Sequence, residues 1–60
     1  MHEGYEFETY LDQQIKWRWR FYAVGNSEII AVSSESYDEY RDCRYALDLV
    51  KKFAESAPVK

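Results

Sequence analysis

Cysteine and histidine are all but missing from this chain of 60 residues: Cys43 and His2 are the only examples. A single cysteine excludes an internal disulfide. A single histidine, at a terminus expected to fray, gives no basis for a structural metal. Basic residues are outnumbered, eight Lys and Arg against eleven Asp and Glu, for a formal net charge of −3. Nucleic-acid binders need a basic surplus to neutralise phosphate, so this balance argues against them. No apolar run approaches the roughly 20 residues that cross a bilayer. The opening Met-His-Glu-Gly-Tyr-Glu has neither the basic nor the apolar region of a signal peptide. A cytoplasmic protein without membrane contact is the expectation.

Length excludes a further class, the self-sufficient large core. Ordering costs roughly 1.5 kcal/mol per residue, and a chain this short hides only a modest share of its surface. With disulfide and metal set aside, association with a second copy is the remaining way to gain burial.

What is present is alternation. Tyr5, Phe7, Thr9 and Leu11 fall on one face of a first strand, and Glu6, Glu8 and Tyr10 on the other. After the polar Asp12-Gln13-Gln14 connection, a second strand over about 16–24 places Trp17, Trp19, Phe21 and Ala23 on one face. Lys16, Arg18, Arg20 and Tyr22 take the other. Antiparallel pairing then sets Glu6 and Glu8 across from Arg18 and Arg20, worth a few tenths of a kcal/mol per pair. Gly25-Asn26-Ser27 is a turn, because Gly and Asn tolerate positive φ.

A third strand covers about 28–33, and its register has two solutions. A two-residue turn pairs Phe21 with Ile30 and Trp19 with Val32, whereas a three-residue turn sends Ile29 and Ala31 inward. The larger apolar area favours Ile30 and Val32 inward.

Ser36, with Glu39 three residues on, reads as a capping box, and Asp38 and Glu39 suit the positive end of a helix. Tyr40, Cys43, Ala46, Leu47, Val50, Phe53 and Ala54 follow in one helical stripe. Lys51 and Lys52 sit near the negative end, and Pro58 stops the helix near Ser56. The fold class is therefore α+β, a βββα order with one helix on an antiparallel sheet. A helix about 10 Å across cannot cover three strands spaced about 4.8 Å apart, so an aromatic margin and an edge stay open in a single copy.

Trp-Arg-Trp-Arg-Phe-Tyr-Ala at 17–23, Glu-Ile-Ile-Ala at 28–31, the Ser33–Tyr37 segment, Asp42-Cys43 and Leu-Val-Lys-Lys at 49–52 together resemble the YegP-like family of small proteins of unknown function. Tyr5–Leu11 is similar to that family's first strand. The resemblance implies a β(3)-α-β module, found as tandem pairs or as homodimers with one joint sheet and exchanged C-terminal strands. Pro58-Val59-Lys60 is the candidate for that last strand. The turn at 25–27 is one residue longer than the family's, and Ser36 stands where a glycine is frequent. The resemblance brings no catalytic or ligand-binding residue.

Each sharper reading has a plainer competitor. Trp17, Trp19 and Phe21 could stack on bases, but arginines and aromatics leave opposite faces of one strand, so the aromatics belong to the core or to a dimer interface, with Val59. Tyr10 and Tyr22 share a face with Arg18 and Arg20, a candidate surface for a partner or a small ligand. Cys43 lies on the apolar stripe and reads as a small buried residue. Ser33, Ser34 and Ser36 are explained by a strand end and a helix cap. Glu6 and Glu8, about 7 Å apart on an open face, have nothing to raise one pKa for acid catalysis. With no nucleophile–base pair, metal set or phosphate loop, no enzyme activity and no cofactor are expected. A homodimer acting through protein–protein contacts is the leading expectation, and a ligand-binding face the alternative.

Overall fold

Alternation and helical periodicity place the elements where the sequence indicates. The computed structural model describes residues 4–60, and His2 lies outside the described residues. Among the described residues, three strands, β1 (Tyr5–Leu11), β2 (Trp17–Ala23) and β3 (Ile29–Val32), are followed by one helix, α1 (Tyr40–Phe53). The sheet is antiparallel in the order β1-β2-β3, with β2 central and an open edge on either side.

Phe7 faces Phe21, Thr9 faces Trp19 and Leu11 faces Trp17 across β1 and β2. Against that face α1 buries Cys43 and Leu47, which with Trp19 form the centre of the core. Phe7, Trp17, Phe21, Tyr37 and Val50 surround it, partly buried. Ring contacts lock the aromatic set: Phe7 and Phe21 lie 4.7 Å apart, and Trp17 meets Tyr40 edge-on at 4.9 Å. The radius of gyration is 12.5 Å, against about 10.4 Å for a compact domain of this length. The molecule is a thin two-layer slab rather than a ball.

The β3 register departs from the expected one. Val32 pairs with Arg20, Ala31 with Phe21 and Ile29 with Tyr22, so Ile30 is the extra residue of a bulge. Ala31, not Ile30 or Val32, therefore shares the face of Phe21. The favoured register assumed that burial would reward the larger side chains, but α1 packs on β2 and β1 and does not extend over β3. With no helix over β3, the small residues Ala31 and Ser33 are the ones on the Phe21 side. Ser33 is buried there, donating its N–H to the Trp19 carbonyl (2.9 Å) while its Oγ accepts the Trp19 N–H (3.3 Å).

Turn chemistry differs as well. The left-handed positions are Ile15 (φ 60°) and Ser27 (φ 59°), and Gly25 is not among them. The β2–β3 loop closes through the Ala23 N–H to the Glu28 carbonyl (2.9 Å) and the Glu28 N–H to Asn26 Oδ1 (3.1 Å). Asn26 thus acts through its side chain, and Ser27 carries the reversal.

The capping box does not form. Glu39, extended at φ −117° and ψ 141°, is the N-cap and makes no side-chain capping bond. Tyr37 instead adds a bridge to β2, exchanging both backbone hydrogen bonds with Trp17 (2.7 and 2.8 Å). That bridge keeps the backbone extended past Ser36, and Asp38 pairs with Lys16 outside the helix. Asp42 is the acidic residue of the first turn, while Lys51 and Lys52 occupy the last, as expected. The helix ends three residues short of Ser56, whose hydroxyl donates to the Phe53 carbonyl (3.3 Å).

Candidate functional site

Two surfaces are left open by this packing, one polar and one apolar. On the polar face, Arg20 donates to Glu8 (2.6 Å) and lies over the Tyr10 ring, 4.9 Å from its centre. The Tyr22 hydroxyl donates to Glu6 (3.0 Å), and this bond raises the Tyr22 pKa. Arg18 sits opposite Tyr10, not opposite a glutamate, and its Nε donates to Asp12 Oδ2 (2.7 Å). Of the two expected Glu–Arg pairs, only Glu8 with Arg20 exists. Glu6 is one pair further along and meets Tyr22 instead.

Asp12 is the residue that pattern reading passed over. Its Oδ1 accepts the N–H groups of Gln14 (2.8 Å) and Lys16 (3.0 Å), and its carbonyl accepts that of Ile15 (3.0 Å). The Arg18 hydrogen bond, then those backbone donors, hold its carboxyl below the usual carboxylate range. An Asp directly ahead of a turn is the signal for such a side-chain-closed connection. These carboxylates are therefore committed to structure. Among the described residues, no group of three or more His, Cys, Asp and Glu is placed to hold a metal. Cys43 is fully buried, and burial pushes its thiol pKa up, away from nucleophilic use.

The apolar surface lies on the far side of β3. Ile29, Ile30 and Val32 are each about half exposed, at 47%, 52% and 53%. On the other, helix-facing side of the strand a hollow of about 330 Å³ opens between the sheet and the end of α1, bordered by Phe21, Ala31, Val50 and Ala54. Leu49 and Phe53 on the helix are also exposed, and Val59 is almost bare at 98%. Of the residues expected in a core or interface, Trp19 is core, Trp17 and Phe21 pack against it, and Val59 touches neither layer. The exposed β3 residues were legible as apolar, but their orientation hung on the bulge.

Comparison with known proteins adds a family. Residues 12–60 match the family described as Domain of unknown function (DUF1508). The chain is 43% identical over 54 residues to a UPF0339 protein of Neisseria meningitidis serogroup B, covering 90% of this chain and 93% of the relative. A UPF0339 protein of serogroup A of the same species matches to the same extent. Its fold is similar to the solution structure of a protein from Haloferax volcanii, with a TM-score of 0.86, 30% identity, and coverage of 98% and 97%. These matches bear out the YegP-like resemblance, in a chain of single-module length.

Proposed function

Because this chain belongs to the DUF1508 family, whose description names no activity, its role has to be read from its surfaces, and we propose that it is a non-catalytic cytoplasmic module working as a homodimer through protein–protein contacts. The observation that carries this reading is the apolar hollow beside β3. Ala31 and an uncovered helix flank line it on one side of the sheet, Ile29 and Val32 leave the other side of the same short edge apolar, and such an edge suits a surface that is wet only in the separated subunit. We assign the hollow of one copy to the C-terminal segment of the other, with Val59 as its apolar anchor. The Pro58 ring carries no N–H, and Val59 and Lys60 supply the short run of backbone that could pair with the β3 edge.

Sedimentation equilibrium at about 10 μM is the test. A dimer is expected for the full chain and a monomer after removal of residues 57–60. A folded monomer of the full chain at that concentration would overturn the reading.

The second reading, a small ligand or anionic partner on the Arg18, Arg20, Tyr10 and Tyr22 face, rests on a hollow of about 280 Å³ bordered by Glu8, Arg20, Tyr22 and Ile29. It has to compete with what is already there, since Arg18 holds Asp12 and Arg20 holds Glu8. A partner retained from native lysate by the wild type and lost by Arg18→Ala/Arg20→Ala would favour it.

A further inference from the structure

The opposite edge of the sheet has its own groove, of different chemistry. A cleft of about 480 Å³ runs between β1 and α1, within the range of about 300–1,000 Å³ typical of ligand pockets. Tyr5, Phe7 and Phe21 form an aromatic lining, with Tyr5 stacked on Phe21 at 5.5 Å, and Arg44 and Lys51 border the cleft from the helix.

The β1 backbone completes the site. Gly4 accepts the Val24 N–H and Asp12 donates to Lys16, both at 2.9 Å, and these two bonds bracket the β1–β2 ladder. Antiparallel pairing alternates, so the even-numbered residues between them face β2 and the amides of Tyr5, Phe7, Thr9 and Leu11 turn outward. Those residues carry their side chains on the helix side, so outward hydrogen-bonding groups, aromatic lining and helix cations all flank one channel.

We propose that the β1–α1 channel binds an extended acidic peptide segment, which adds as a fourth strand to the β1 edge. Main-chain bonds to the odd-numbered residues supply affinity. An apolar side chain enters between Tyr5 and Phe7, and a carboxylate meets Arg44 and Lys51. Arg44 Nε already donates to Asp48 (3.0 Å) and the guanidinium also hydrogen-bonds Tyr40, and its remaining donors provide for a further acceptor. Glu6 also borders the cleft, but its carboxylate accepts the Tyr22 hydroxyl. The partner differs from the self-contact proposed at β3 in the edge it pairs with, and Phe7, Phe21 and Lys51 border both hollows.

The probe is a fluorescein-labelled Val-Thr-Glu-Thr-Val peptide, whose valines and glutamate share one face of an extended strand, followed by anisotropy with the full chain at low salt. Binding is expected, with the Val-Thr-Lys-Thr-Val peptide about tenfold weaker or worse. Arg44→Glu/Lys51→Glu should lose a similar factor. Thr9→Pro removes only an outward N–H, a substitution that edge strands tolerate, and should also weaken binding about tenfold. A peptide N-methylated at its central glutamate tests the main-chain bonds without altering the protein. No binding at about 1 mM, equal affinity for the two charge types, or indifference to N-methylation would each overturn the proposal. Binding that appears only after removal of residues 57–60 would assign the channel to a second copy's tail, and overturn it too.

Discussion

The two edges of the sheet are guarded in different ways. The β1 edge is long and regular, seven residues paired without interruption, and its solvent face carries Glu6 and Glu8. The β3 edge has four residues, a bulge at Ile30 and no charged side chain. Charge and a flanking helix deter indiscriminate pairing at β1, whereas only brevity and a kink do so at β3. A long edge beside the Arg44 and Lys51 cations suits an outside partner that charge can select, and a short apolar edge suits a surface buried by a constant one. Both edges are joined to the central strand β2.

Trp19→Ala should break the comparison outright, with the largest effect. Trp19 lies on β2, is 7% exposed, and touches the core from the strand that both edges share. A large-to-small change of this kind costs about 3–5 kcal/mol, comparable with the whole stability of a chain this small. The near-ultraviolet circular dichroism of the aromatic set should collapse, and with it both binding modes. If the β1–β2 pairing survived in hydrogen exchange, the edges would be independent units and the shared-centre account would fail.

Val32→Lys against Thr9→Lys separates the edges. Val32 shares the Arg20 face at β3 and is half exposed, so its loss removes little from the folded subunit, within about 0.5 kcal/mol. A charge placed in the proposed dimer contact should nevertheless weaken dimerisation about tenfold or more, measured by sedimentation. Thr9→Lys, on the β1 edge, should leave the dimer intact. Equal effects would mean that dimerisation does not choose between edges.

What the sequence made legible is the part governed by period. Tyr5–Leu11 is assigned with its bounds, β2 to within one residue at each end, and the order βββα follows. Cys43 and Leu47 are the buried positions of the helical stripe. Where reading failed, a longer-range event outweighed a local rule. Ser36 and Glu39 have the right residues for a capping box, but the Tyr37 bridge to Trp17 holds the backbone extended through that segment. Ile30 and Val32 have the larger area to bury, but the helix does not extend over β3. The alternating glutamates suggest one across from Arg18, but the register sets Tyr10 there, and Asp12, drawn in by the turn, accepts the Arg18 Nε–H.

The two hairpin loops sharpen the contrast at smaller scale. Each uses one non-glycine residue at positive φ, Ile15 before β2 and Ser27 before β3. A β-branched side chain is the worse fit to that region, and Ile15 is 76% exposed, so little burial offsets the strain. Ile15→Gly should raise stability by about 1 kcal/mol, read from the denaturant midpoint. Ser27→Gly should raise it by less. The reverse order would mean that Ile15 makes a contact, and the loop beside β1 would then join the binding edge.

Acid should loosen the two loops unequally, and this is the smallest effect. Asp12 closes the β1–β2 loop with a carboxylate whose pKa lies below its ordinary value of 3.8, chiefly through the Arg18 hydrogen bond. A group with a depressed folded-state pKa contributes fully above its unfolded value, and the contribution is lost as pH falls through the folded one. The β2–β3 loop is closed instead by the Asn26 amide, which does not titrate. Between neutral pH and about 4, the amides of Gln14 and Lys16 should keep their protection. Below that they should exchange faster, while Glu28 changes less. Asp12→Asn should flatten the difference by making both closures neutral. If Glu28 loosened in step with Gln14 and Lys16, acid would be acting on the shared sheet, and the local role of Asp12 would fall.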